Sequence, residues 1–457
     1  MAGIGFELRK LLRKDTLAGL LQAYAYAGVI GSGPWVLSIV GILIIGLLSS
    51  TVVVPSFLVT QFQTSVTYLI ASSLIFTGGV QLAFTRFISD RLFEKREDLV
   101  LANLNGMLTA VILAACAVAT PGLFLLLPGL SVLYRLLMLA GFVLMCGIWV
   151  VTVFLSGLKR YKEIVALFAV GYGITVGLAL LLRRFGLEGL MAGFVIGHCV
   201  LFAGLWLITA RQYRVDTRLI GFDFARREWL YPSLVAIGLL YNLGIWADKF
   251  MFWFFADTSE PIIGALRASV IYDLPVFLAY LSIIPGMAVF LVRIETDFAE
   301  YYDRFYDAVR SGGSLEFIED MRDEMVYSIR QGLAEIAKIQ TLAVLFTFVA
   351  GPLLLDALNI SELYLPLLQI QVIGAGLQVV LLSVLNVFFY LDERRTILLL
   401  CAEFVLLNVL LTAFTLWKGA AFYGYGFTLA VLATLGAALT LLDRKLRRLE
   451  YETFMLQ

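Results

Sequence analysis

Charge is what this sequence has least of. Only 15% of its 457 residues are Asp, Glu, Lys or Arg, whereas 61% are hydrophobic, and the mean hydropathy is +0.92. A soluble chain is about 25% charged and about 45–50% apolar, and a wet surface cannot be covered with so few polar groups. Hydrocarbon is therefore the solvent, which excludes a disordered chain, a secreted disulfide scaffold and an ordinary cytosolic enzyme. Histidine is nearly missing too. With His198 alone there is no zinc-protease motif and no candidate Ser-His-Asp set, and in its apolar run it reads as helix-packing glue or as a proton relay. The four cysteines (Cys116, Cys146, Cys199, Cys401) stand apart inside apolar runs and show neither metal nor disulfide spacing. No glycine-rich phosphate loop ends in Lys-Ser/Thr, so the chain does not hydrolyse ATP itself. Glu295-Thr-Asp297 faintly resembles the acidic pair of nucleotide-sugar glycosyltransferases. The polar segment around it, about 40 residues, is below the size of an ordinary domain. Lys+Arg and Asp+Glu total 34 each, so nothing points to nucleic acid. The expectation is a non-enzyme with no catalytic residues, cofactor or metal.

What the sequence has in quantity is long apolar runs. A membrane helix needs about 20 such residues, and twelve runs qualify: 18–49, 59–84, 100–126, 132–157, 163–182, 189–209, 229–255, 270–294, 336–358, 362–391, 396–417 and 420–442. With both termini cytoplasmic, the cytoplasmic segments hold 28 Lys/Arg and the other side five, Lys249 lying within a span. That bias follows the positive-inside rule and would collapse if one central span were missed. The basic head (Arg9, Lys10, Arg13, Lys14) leads into a run too long for a signal peptide. Residues 1–17 read as an amphipathic helix lying on the cytoplasmic leaflet.

The two halves repeat. GLEGLMAGF (186–194) aligns with GAAFYGYGF (419–427) at an offset of 233, matching Gly186 with Gly419, Gly193 with Gly426 and Phe194 with Phe427. Six spans per copy make the repeat a parallel one, about an axis along the membrane normal. The expected fold is an all-α polytopic membrane protein of about twelve helices in two six-helix lobes, 18–210 and 211–457. The second lobe carries a cytoplasmic insertion at 295–335, read as two amphipathic helices about a GGS break at 312–314. Eleven acids against five bases between Arg293 and Glu335 make anionic lipid a poor surface for it. It is either a solvated linker or a docking face, with Tyr302, Phe305, Ile318 and Met325 as the candidate contacts.

A charge at mid-bilayer costs about 2.5–3.5 kcal/mol on insertion scales and usually faces a cavity or a partner. Asp248, Lys249 and Glu403 are therefore candidates for a substrate pathway or for coupling, with Asn242, Asn408, Gln378 and Asn386 as softer polar groups beside them. Asp248 and Lys249 could instead form a structural ion pair. Gly31, Gly33 and Pro34 mark a break in span 1, one that either moves or merely packs.

Twelve spans in two halves without an ATPase motif resemble the multidrug/oligosaccharidyl-lipid/polysaccharide (MOP) transporter superfamily. Asn242-Leu…Ala-Asp248-Lys249-Phe-Met is similar to an Asp-Lys/Arg element of its polysaccharide members. The opening MAGIGFELRKLL, running on to Gly31-Ser-Gly-Pro-Trp35, resembles the PelG family of inner-membrane Pel exopolysaccharide transporters along the whole chain. That resemblance implies export of an N-acetylgalactosamine-rich polymer across the inner membrane of a biofilm-forming Gram-negative bacterium. It also implies a cytoplasmic glycosyltransferase and membrane subunits including a cyclic-di-GMP receptor as partners. The family offers no settled site residues to carry over. The expected route lies between the lobes. The rival readings are an ion-coupled antiporter or flippase of lipid-linked oligosaccharides or drugs, using Asp248 or Glu403, and a non-conducting scaffold for a synthase.

Overall fold

The computed structural model describes residues 56–158, 160–213, 218–229, 231–357 and 361–455, together with 22–28, 38, 40, 41, 44 and 45. The surface helix expected at 1–17 and the break expected at Gly31, Gly33 and Pro34 lie outside them. Among the described residues ten helical segments are long and apolar enough to cross a membrane. One of them, Tyr161–Gln212, is a pair of helices, so the described residues account for eleven of the twelve expected spans of a polytopic chain, and most of the first span lies outside them. Very exposed apolar side chains such as Leu363 (88%), Val349 (79%) and Trp417 (74%) form the face that lipid would cover.

The chain divides into two compact units. One holds Pro34–Trp246 and Phe252–Ser269, and the other holds Ala247–Met251, Val270–Gln457 and the residues before 34.

In the first unit, α1 (Ser56–Phe93), α2 (Val100–Leu126), α3 (Val132–Gly157), α4 (Tyr161–Leu182) and α5 (Gly186–Gln212) precede α6 (Pro232–Phe254). Lipid gives helices no hydrophobic reason to associate, so close packing of small residues and interhelical hydrogen bonds hold them together. Both devices are present. Gly189, Gly193 and Gly197 make a stripe on α5, and a Cβ on Gly193 would lie 2.4 Å from the Ala179 backbone of α4. A hydrogen bond of 2.5 Å joins Ser65 to Tyr134, and Trp149 Nε1 donates to Ser73 at 2.9 Å. The segment before α6 is fixed by Asp223, whose backbone N–H donates to Asn103 Oδ1 and whose carboxylate accepts from Asn103 Nδ2. A short antiparallel hairpin that the sequence did not reveal, β1 (Glu260–Ile263) with β2 (Leu266–Ala268), closes the unit after α6.

The second unit contains α7 (Val270–Leu281), α8 (Ile284–Val292), α9 (Ala299–Arg310), α10 (Leu315–Ala357), α11 (Leu365–Tyr390), α12 (Arg394–Lys418), α13 (Tyr425–Arg447) and α14 (Leu449–Met455). The polar insertion is no separate piece. Its first helix continues α8 through a π-helical stretch, Arg293–Phe298, and its second is the beginning of α10. At 1.5 Å per residue the 43 residues of α10 reach about 65 Å, against about 30 Å of hydrocarbon. Half of the helix is left to stand clear. Arg293 pins the base of this hairpin, reaching Glu335 at 2.5 and 3.1 Å and Asp297 at 2.7 Å. The helical residues 22–28 belong to this unit, with Gly28 against Ala288 and Ile284 of α8.

Candidate functional site

Of α6, only Ala247–Met251 groups with the second unit, and this stretch carries both buried charges of the spans. Asp248 is fully buried and Lys249 is 4% exposed. Neighbours on a helix point about 100° apart, yet the two pair: Lys249 Nζ lies 3.2 Å from both Asp248 oxygens. The lysine's flexible stem folds back along its own helix to reach them. Three further helices complete the carboxylate's surroundings. Tyr272 of α7 donates its hydroxyl hydrogen to Asp248 Oδ2 at 2.5 Å, and Asn408 Nδ2 of α12 approaches Oδ1 at 3.3 Å. Gln371 of α11 donates to Tyr272 Oη at 2.7 Å, and Thr412 donates to Asn408 Oδ1 at 3.0 Å. The ammonium also lies over two aromatic faces, Phe427 at 4.6 Å and Tyr280 at 5.3 Å. Tyr280 in turn donates to Gln378 Oε1 at 2.8 Å. Asp273, beside Tyr272 and half-buried, adds a second negative field at Lys249.

The site is thus a desolvated ion pair roofed by aromatics and tied to α7, α11, α12 and α13. Removing one partner of such a pair costs about 3–5 kcal/mol, because the other charge is left buried and alone. Among the residues singled out in the sequence, Asp248, Lys249, Asn408 and Gln378 come together here. Tyr272, Tyr280, Gln371, Thr412 and Phe427 complete the group. Only the run of amides in α11 and the matched Phe194/Phe427 position hinted at them.

The remaining candidates lie elsewhere. Asn242 is on the part of α6 belonging to the first unit, where its Nδ2 donates to Gly238 O at 2.8 Å beside Gly78 of α1. It marks a close helix crossing. Glu403 and Asn386 are half-buried on α12 and α11 and take no part in the cluster. His198 is buried between α4 and α5, its Nδ1 2.9 Å from Phe194 O and its Nε2 3.4 Å from Tyr172 Oη. In the hairpin, Phe305, Ile318 and Met325 are buried at 0, 4 and 0% exposure, and Tyr302 is half-buried against Tyr390 and Tyr306. They fasten α9 to α10 because an amphipathic helix hides its apolar stripe on the nearest partner. The face left outward carries Phe317, Asp320, Glu324 and Tyr327. Among the described residues no cluster of His, Cys, Asp and Glu could hold a metal ion.

Residues 1–454 match the PelG exopolysaccharide exporter (EPS-E) family. No functionally curated protein matches the sequence. In fold the chain is similar to a MOP superfamily transporter from Pyrococcus furiosus, at TM-score 0.65, 14% identity, and 93% and 96% coverage of this chain and that one. It is also similar to a MATE transporter in complex with MaL6 (0.64, 14%, 93% and 97%) and to a MATE transporter in a bent conformation (0.64, 15%, 98% and 97%).

Proposed function

We propose that this chain, which belongs to the PelG exopolysaccharide exporter family, exports a Pel-type, N-acetylgalactosamine-rich polymer across a bacterial inner membrane. The observation that carries the reading is the family match over residues 1–454 of a polytopic chain with a transporter fold. The chemistry agrees with it. A neutral or weakly charged polyol gains little from fixed charges and much from hydroxyls, amides and aromatic faces, and the polar side chains of these spans are Tyr, Trp, Asn and Gln far more than charges, with Asp248 and Lys249 paired to each other. Asp248 and Lys249 act in this reading as a gating element. Their hydrogen-bonding capacity is spent within the protein, so they tune helix positions and leave sugar contacts to other groups.

A cytoplasmic glycosyltransferase feeds the polymer and docks on the 295–335 hairpin, and further Pel membrane subunits, a cyclic-di-GMP receptor among them, complete the complex. The hairpin stands clear of the hydrocarbon and offers an outward stripe of two aromatics and two acids. The test is purified protein alone in liposomes, with flux of N-acetylgalactosamine oligosaccharides measured. The expected result is flux above protein-free vesicles. Absence of flux under every imposed gradient would sink the exporter reading and favour a scaffold.

A further inference from the structure

We propose that the cluster around Asp248 is a monovalent-cation site permanently filled by the chain's own Lys249 ammonium. A buried carboxylate needs a counter-charge, and a membrane protein can supply it as a mobile Na⁺, as a proton or as a fixed cation. The hard oxygens that suit an alkali ion are the two of Asp248, and neighbours hold them in place: Tyr272 Oη–H and Asn408 Nδ2 donate to the carboxylate, and Gln371 Nε2 donates to Tyr272 Oη. Lys249 Nζ sits symmetrically at 3.2 Å from both carboxylate oxygens, the position such an ion would take. The faces of Phe427 and Tyr280 close over it, and aromatic faces also favour a cation.

A nitrogen tethered by four methylenes cannot leave the site, so while Lys249 keeps its charge no Na⁺ can take its place. This site therefore does not couple transport to a Na⁺ gradient. The inference concerns the energy source of the exporter proposed above, but the occupancy of the site can be read without any sugar.

The lysine is the lock, so removing its charge should turn the cluster into an exchangeable site. Wild type, Lys249→Met and the double variant Asp248→Asn/Lys249→Met are placed in nanodiscs. Their melting is followed at about pH 8 in choline chloride and in NaCl of equal ionic strength, and again at about pH 5.5. Wild type and the double variant should melt alike in the two salts. Lys249→Met alone should gain a saturating rise in Tm of about 3 °C or more with Na⁺ or with acid, as a state-specific ligand produces. Loss of that gain in the double variant assigns it to Asp248 and separates it from Asp273, Tyr272 and Tyr280, the other titratable groups facing Lys249. None of α11, α12 and α13 adds a charged group to this cluster. A folded Lys249→Met that ignores both cations overturns the proposal. So does a Na⁺-dependent rise in wild type that Asp248→Asn abolishes, and this second measurement decides the matter if Lys249→Met does not fold. Absence of oligosaccharide flux would leave these melting results standing, so the two readings fail separately.

Discussion

At the scale of the residue, a charge inside an apolar run is visible in a sequence, but its partner is not. Asp248 and Lys249 stand out by composition, whereas Tyr272, Gln371 and Phe427 lie 24 to 179 positions away in runs where an aromatic or an amide attracts no notice. Only packing brings them to the pair. Glycines tell the opposite story, because their spacing encodes a contact directly. Gly193 and Gly426 match at an offset of 233, and the backbones they touch, Ala179 and Thr412, are 233 apart as well. The repeat seen in the letters is thus the same helix crossing built twice, α4 on α5 and α12 on α13. A Cβ at Gly426 would lie 2.6 Å from the Thr412 backbone, where nothing but a helix shift relieves it. Gly426→Val should therefore destabilise the protein by about 1–3 kcal/mol, the usual cost of overpacking. Gly436→Ala on the same helix, with nothing within 4 Å of its Cβ, should be tolerated. Melting of the two variants in one detergent checks both, and equal Tm losses would show that the crossing is looser than it looks.

At the scale of the element, periodicity revealed the helices of the polar insertion but not what lies against their apolar faces. Ile318, Met325, Ile329 and Ile336 recur at helical spacing and are all buried. The stripe itself looks the same whether a foreign partner or the chain's own neighbour will cover it. Loop length decides the matter physically: a turn of a few residues around Gly312, which has φ +70°, brings α9 and α10 together before any partner can arrive. What remains for a partner is the outward stripe. Phe317→Asp combined with Tyr327→Asp should leave the melting temperature nearly unchanged, since exposed substitutions usually stay within about 0.5 kcal/mol, yet abolish co-purification of the glycosyltransferase. Ile318→Asp should lower stability outright by burying an unpaired acid. Full recovery of the glycosyltransferase with the double aspartate variant would move the docking face elsewhere.

At the scale of the whole molecule, hydropathy and the distribution of Lys and Arg carry almost all of the architecture, since length and polarity alone decide what can cross hydrocarbon. Sequence order gives no comparable guide to which stretch joins which compact unit. α6 contributes to both, and the described residues before 34 group with the half that follows Val270. Orientation rests on charge alone, 28 Lys/Arg against five, and one pair of positions tests it across a single helix. Arg226 precedes α6 with its side chain 61% exposed, and Asp257 follows that helix on an exposed turn. In a background with the four native cysteines replaced, a cysteine at 257 should react with an impermeant maleimide in intact spheroplasts. One at 226 should react only after permeabilisation. Labelling of both from the same side would remove α6 as a crossing helix and invert every span after it, undoing the charge bias at a stroke. Reversed labelling would instead place both termini outside, and the α9–α10 hairpin would then face away from any cytoplasmic enzyme.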